Sequence, residues 1–141
     1  LNEKTSLCAV YAIDKAVQFD FDLTQLNGGQ IGTLDEYTEN YLSFATHPLS
    51  LEKRALGSSD RFNDSRADYE LLTKTLKADI RDMEGAAILQ AAKSAGVKAF
   101  SVKAISDVAG SGSTTEQFLK NKAAALANLE KALPGIFAAI D

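Results

Sequence analysis

The sequence predicts an α/β fold of three layers, a mostly parallel or mixed sheet flanked by helices. Three observations carry that expectation. Leu7–Ile13 (LCAVYAI) is almost continuously apolar, as suits a strand buried on both faces. Val97–Ile105 (VKAFSVKAI) is the best strand-like run in the chain. Around and between them strand-like and helix-like stretches alternate, an order that implies a largely parallel sheet with helices on both faces.

After Leu7–Ile13, Asp14 stands at the expected strand end. Gln18–Leu23 (QFDFDL) alternates apolar and polar residues and reads as a short extended piece. Asn27-Gly28-Gly29 and Gly32 signal turns. Residues 33–52 form a polar excursion with a short helix expected near Asp35–Phe44, and Lys53–Gly57 is a further short strand. Ser65 is placed to cap a helix, with Asp68 three residues on and Tyr69, Leu72 and Leu76 as its apolar stripe. Ile80–Met83 is a brief strand. Gly85–Ala95 (GAAILQAAKSA) is a small-residue helix that Gly96 ends. Gly110–Ser113 is a loop. Ser113-x-x-Glu116 caps a last helix that carries Phe118, Leu126, Leu129, Leu133 and Phe137 near one face, and Pro134 should kink or break it.

With 141 residues, 45% apolar and 24% charged, residues 1–141 suffice for a single globular domain. The net charge is −4 and the cations are scattered, so nucleic acid is a poor partner. No apolar run approaches a membrane span, and Leu1-Asn2-Glu3-Lys4 is not a signal peptide, so a cytoplasmic protein with no membrane partner is expected. The single cysteine, Cys8, allows no intrachain disulfide, and its apolar neighbours predict a buried thiol. The single histidine, His47, reads as a loop residue. No metal site and no cofactor are expected.

In open α/β sheets ligands bind beyond the carboxyl ends of strands. That rule selects Asp14, Ser59–Phe62, Met83-Glu84 and Ser106-Asp107. Glu84 lies where a strand becomes a helix. It can be a capping acid, or a carboxylate that accepts hydrogen bonds from adjacent ribose hydroxyls. Asp107 follows an apolar strand. It can cap a turn, or hold a proton for donation if burial raises its pKa. Phe62 can anchor its loop or stack on a flat heterocycle. Met83 can be core or a sugar contact.

Asp82-Met83-Glu84-Gly85-Ala86-Ala87, followed by Lys103-Ala104-Ile105-Ser106-Asp107, resembles the paired signature of 5′-methylthioadenosine/S-adenosylhomocysteine nucleosidases, within the purine nucleoside phosphorylase superfamily. Gly57–Phe62 resembles that family's purine-side loop, and Asp14–Asp22 the segment after its central strand. The resemblance implies hydrolysis of a purine nucleoside's N-glycosidic bond with release of adenine, in methionine salvage. It gives Asp107 as the acid at purine N7, with Ser106 orienting it. Phe62 would stack on the base, Met83 pack on the sugar, and Glu84 bind the ribose hydroxyls. Lys103 stands where many bacterial members carry Arg; it keeps the charge and loses the bidentate fork.

The resemblance also implies an N-terminal part of the fold, upstream of Leu7–Ile13, that supplies the activator of the attacking group. The expected partners are therefore the nucleoside and either a second copy in a homodimer or a complementing N-terminal half. The alternatives are a purine nucleoside phosphorylase and a non-catalytic nucleoside-binding fragment.

Overall fold

The computed structural model describes residues 5–46, 49–62 and 65–140. His47 lies outside the described residues, as does its expected loop role. The elements in order are β1 (Val10–Gln18), α1 (Thr24–Asn27), β2 (Leu42–Ser43), β3 (Lys53–Ser58), α2 (Arg66–Glu70), β4 (Ile80–Asp82), α3 (Gly85–Ser94), β5 (Ser101–Ala104) and α4 (Thr114–Ile140). A π-helical stretch, Leu71–Leu76, continues α2.

The five-stranded sheet is mixed, with order β2-β1-β3-β4 and β5 also paired to β1. β3 runs parallel to β1, and β4 parallel to β3. β5 and β2 both run antiparallel to β1, β5 along Val10–Ile13 and β2 at Lys15 and Ala16. The mixed alternative of the sequence expectation therefore holds, and the largely parallel one does not.

β1 differs from the expected Leu7–Ile13. Leu7 and Cys8 form a turn, with Cys8 in the left-handed region at φ 60° and half-buried rather than buried. Asp14 does not end the strand. It sits exposed at a bulge, where the register with β3 shifts between Ile13 and Lys15. An extra residue in one strand reverses the side-chain alternation beyond it. Ala16 thereby joins Tyr11 and Ile13 in one core cluster, while Val17 and Phe19 enter another. The extended piece expected at Gln18–Leu23 is instead the end of β1 and a turn into α1.

The two clusters occupy the two sides of the sheet. One packs β1, β3 and β4 against Ala86 and Leu89 of α3; the other packs Val17 and Phe19 against Leu72, Leu76 and Ala78. Leu72 and Leu89 are almost fully buried, which stabilises the layers by about 1.5–3 kcal/mol per side chain. Gly57 of β3 is needed for this approach, because a Cβ there would stand 2.3 Å from Leu72 Cδ2. No helix forms over Asp35–Phe44; β2 lies there, and Tyr41 donates from its hydroxyl to the Leu76 carbonyl at 3.1 Å.

Ser65 caps α2 as expected, accepting from the Asp68 N–H at 3.3 Å. Gly96, with φ 67°, closes α3. Its N–H donates to Lys93 O and that of Val97 to Ala92 O, the paired bonds of a Schellman motif. Of the expected strand Val97–Ile105 only Ser101–Ala104 forms β5, and Ile105 adds backbone bonds to Cys8 and Ala9.

Ser113 Oγ accepts from the Glu116 N–H at the start of α4. Pro134 does not break that helix: the carbonyl it leaves without a donor belongs to exposed Glu130, which water can reach. The stripe of Phe118, Leu126, Leu133 and Phe137 faces outward, and only Leu129 among the five is neither exposed nor buried. The inward face instead uses Ala125, Ile136 and side-chain amides. Asn121 donates to Ser106 O at 3.2 Å and Asn128 to Cys8 O at 2.9 Å. By length and composition alone α4 could cross a membrane, with a mean hydropathy of 1.3 over its most apolar stretch, contrary to the expectation that no run approaches that length.

Candidate functional site

The junction between β4 and α3 is built around Asp82. Its Oδ1 accepts from Ser58 Oγ at 2.5 Å. Its Oδ2 accepts from the Gly85 N–H at 3.0 Å and pairs with Lys103 Nζ at 2.6 Å. Ser58 Oγ in turn accepts from the Ala86 N–H at 2.9 Å. Two of the N–H groups that a helix start leaves unpaired are thus satisfied by Asp82 and Ser58. Gly85 is required here: a Cβ would meet Leu56 Cδ2 at 2.3 Å and Asp82 Oδ2 at 2.8 Å.

Glu84 occupies the N-cap position of α3 yet makes no side-chain capping bond. The capping alternative for this residue is therefore not realised. Glu84 and Met83 both project outward as exposed side chains beyond β4.

Asp107 is partly buried, and Ser106 Oγ donates to its Oδ2 at 2.7 Å. The backbone around this pair is tied to α4. Asn121 holds Ser106 O, and the Gln117 side-chain amide both accepts from Val108 N–H at 3.0 Å and donates to Val108 O at 3.1 Å.

Phe62 is half exposed. Its ring meets Phe118 of α4 edge-on, 5.9 Å between centroids. Behind it Arg81 Nη2 donates to Arg61 O at 2.6 Å and to Ser59 Oγ at 3.4 Å. Burial lowers the pKa of the Arg81 guanidinium, and Asp68, Asp107 and Asp20 favour its charged form. Asp20, at the end of β1, accepts from the Asp60 N–H at 2.9 Å.

These contacts tie Lys103 to the β4–α3 junction and the Phe62 loop to Arg81 and α4. Arg81 touches the backbone of the Phe62 loop and feels Asp107; Lys103 reaches the carboxylate two residues before Glu84. The strand-end rule that selected Glu84 and Asp107 does not hold for Asp107. β4 and β5 are not neighbours, and β5 runs against β3 and β4, so Asp107 does not sit at a parallel strand end beside Glu84. Asp14 takes no part. It lines a separate cavity of about 190 Å³ with Lys15, Phe44 and Lys53.

Sequence reasoning assigns no role to Ser58, Arg81 or Asp82, and reads Asp68 only as a weak capping partner. The signal that could have found them is an arginine and an aspartate in so short a strand, Ile80–Asp82, where a buried charge must find a partner.

A three-layer α/β protein with a mixed five-stranded sheet is the class that this fold defines. The family described as the phosphorylase superfamily matches residues 1–138, and the chain belongs to it. It is 35% identical over 86 residues to the 5′-methylthioadenosine/S-adenosylhomocysteine nucleosidase of Arabidopsis thaliana, covering 60% of this chain and 34% of the relative. The apo structure of the 5′-methylthioadenosine nucleosidase of Arabidopsis thaliana superposes with a TM-score of 0.81 at 24% identity, over 95% of this chain and 55% of that one. A candidate 5′-methylthioadenosine/S-adenosylhomocysteine nucleosidase of Borrelia burgdorferi, bound to adenine, superposes with a TM-score of 0.82 at 22% identity, over 97% and 63%. The chain thus spans about a third of the curated relative and little more than half of these solved ones. The family resemblance read from the two motifs is borne out, as is the three-layer fold.

Proposed function

We propose that this chain carries the base- and ribose-holding part of a purine nucleosidase site, acting on a nucleoside such as 5′-methylthioadenosine or S-adenosylhomocysteine and releasing adenine by hydrolysis of the N-glycosidic bond. The observation that carries this reading is the division of labour at the start of α3. Asp82 and Ser58 satisfy the helix end, and Glu84 is left exposed with no capping bond. A carboxylate spared from structural duty can accept from two ribose hydroxyls. The similarity to the Arabidopsis nucleosidase and the adenine in the Borrelia relative support the substrate class.

In this mechanism Asp107, oriented by Ser106, gives its proton to purine N7, so that the base leaves neutral. Positive charge then builds on the ribose, and anionic Glu84 stabilises it. Phe62 stacks on the base and Met83 packs on the sugar. Lys103 acts through Asp82, to which it is bonded. The setting is methionine salvage in the cytoplasm, with a homodimer or a complementing N-terminal half completing the site.

Incubation with 5′-methylthioadenosine, with and without phosphate, tests the proposal. Adenine and free 5-methylthioribose are the expected products. Phosphate-dependent 5-methylthioribose 1-phosphate would make the protein a phosphorylase. The second reading is a chain that binds nucleosides without turnover. Adenine binding with no release under either condition would support it.

A further inference from the structure

Asp68 is a buried carboxylate, 7% exposed, at the first turn of α2. Its two oxygens are divided between two guanidinium groups, Oδ1 to Arg61 Nη2 at 3.1 Å and Oδ2 to Arg81 Nη2 at 3.5 Å. Both arginines also lie over the ring of Phe19, at 5.9 and 5.2 Å from its centroid. Arg81 reaches on to the carbonyl of Arg61, the residue before Phe62, at 2.6 Å. The peptide that presents Phe62 is therefore gripped from behind by a charged assembly that joins α2, β4 and the end of β1. The ring itself has Phe118 on its edge.

We infer that Asp68 and Arg81 are positioning residues for Phe62: they hold the half-exposed ring in a set orientation, ready for a planar base. The inference rests on the reading of Phe62 as the stacking residue. A loop that had to be ordered on binding would subtract the ordering cost from affinity, and a clamped one does not. Arg81 Nη2 alone reaches the Arg61 carbonyl, the Ser59 hydroxyl and the Asp68 carboxylate, while the planar guanidinium lies over Phe19, a combination that a lysine ammonium does not reproduce.

The chain contains no tryptophan, so Phe62→Trp places a single fluorescent reporter at the position in question. In this background, the anisotropy of the introduced indole and its quenching by adenine are measured, and Asp68→Asn, Arg81→Lys and Arg81→Met are then added one at a time. The urea midpoint and far-ultraviolet circular dichroism of each variant report on global folding. The expected result is a lower anisotropy in Asp68→Asn and Arg81→Met, and an adenine Kd raised by about tenfold, the effect of one or two lost hydrogen bonds. Arg81→Lys should fall between. Anisotropy and Kd unchanged within twofold in folded variants would overturn the clamp. Should Arg81→Met not fold, Asp68→Asn decides, since an amide keeps the shape and one acceptor. Should adenine not quench the indole even in the Phe62→Trp parent, the stacking role of Phe62 fails, and the anisotropy comparison still judges the clamp.

Discussion

Lys103 Nζ on β5 and Asp82 Oδ2 on β4 meet at 2.6 Å, although β1 and β3 lie between their strands. Strands are spaced by about 4.8 Å, so three spacings in a flat sheet would put β4 and β5 roughly 14 Å apart. One lysine side chain cannot cover that span, and the sheet is therefore curled. The bulge at Asp14 is the local cause at hand, since bulges bend and twist the strand that carries them. The pair thus ties β5 to the start of α3 across the curl.

Breaking this pair should loosen the sheet. The side chains are 27% and 11% exposed, so the loss should fall short of the cost for a fully buried pair. Lys103→Met is expected to lower unfolding stability by about 1–2 kcal/mol in urea titrations. Asp82→Asn should cost more, because Asp82 also serves Ser58 and the Gly85 N–H. An unchanged urea midpoint in Lys103→Met would show that the curl does not depend on the pair.

Glu84→Gln separates ligand binding from folding. The side chain makes no capping bond, so stability should stay within about 0.5 kcal/mol of the parent. Ribonucleoside affinity should fall about tenfold or more, the worth of one charge-assisted hydrogen bond. Ser58→Ala should show the reverse emphasis, losing about 1–2 kcal/mol of stability with its helix-start bond. Calorimetry of both variants with a ribonucleoside and its 2′-deoxy counterpart checks this. A large stability loss in Glu84→Gln would contradict the assignment.

Asp107→Asn removes the proposed proton donor while keeping the shape and an acceptor for Ser106. Adenine release should slow by about 10²–10⁴-fold, with nucleoside analogues still bound. Single-turnover assays with 5′-methylthioadenosine read the first effect and equilibrium titration the second. Full activity in the variant would exclude Asp107 as the acid.

Tyr41 sets a prediction at alkaline pH. Burial raises its phenol pKa well above the ordinary value of 10.0, with Asp79 and Asp14 adding to the effect. The unfolded chain releases this proton near pH 10 while the folded chain keeps it. The folded state then binds more protons, and stability falls as pH rises beyond 10. Tyr41→Phe should be less stable at neutral pH by about 1 kcal/mol through loss of the bond to Leu76 O, and should lose part of the alkaline decline. Parallel stability curves for both proteins between pH 9 and 11 would contradict the burial argument.

Much of this architecture could be read from the sequence because its signals are local. Lys53–Gly57 and Ile80–Met83 were legible as short strands and Gly85–Ala95 as a small-residue helix, and Ser65, Gly96 and Ser113 from cap chemistry. The Asp82–Gly85 motif was legible as a junction, but its inner logic was not. Whether Glu84 or Asp82 caps α3 depends on Ser58, a residue on another strand. β2 is only two residues long and has no periodicity to detect. Tyr37, Tyr41 and Phe44 are spaced as on a helix, yet Tyr37 and Phe44 pack on one core cluster and Tyr41 on the other. The apolar stripe of α4 shows that the helix has faces, not which one the sheet takes. That choice falls to small Ala125 and to Asn121 and Asn128, whose amides find backbone carbonyls. The direction of β5 is likewise set by tertiary pairing and leaves no local trace.

The pairing of β1 with β5 also fixes an order of events. Val10–Ile13 must wait for Ser101–Ala104, so this part of the β1 edge stays open until β5 is made, while β2 can cover Lys15 and Ala16 earlier. At roughly 5–20 residues per second during synthesis, that interval lasts several seconds or more. Over that time an apolar strand offers unpaired backbone groups to any neighbour, an invitation to aggregation. β3 and β4 lie closer in sequence and should form first. Pulsed hydrogen exchange during refolding should therefore protect the amides shared by β3 and β4 before those shared by β1 and β5. A chaperone that shields open strand edges should raise the yield of this protein most when it acts before Ser101 is available.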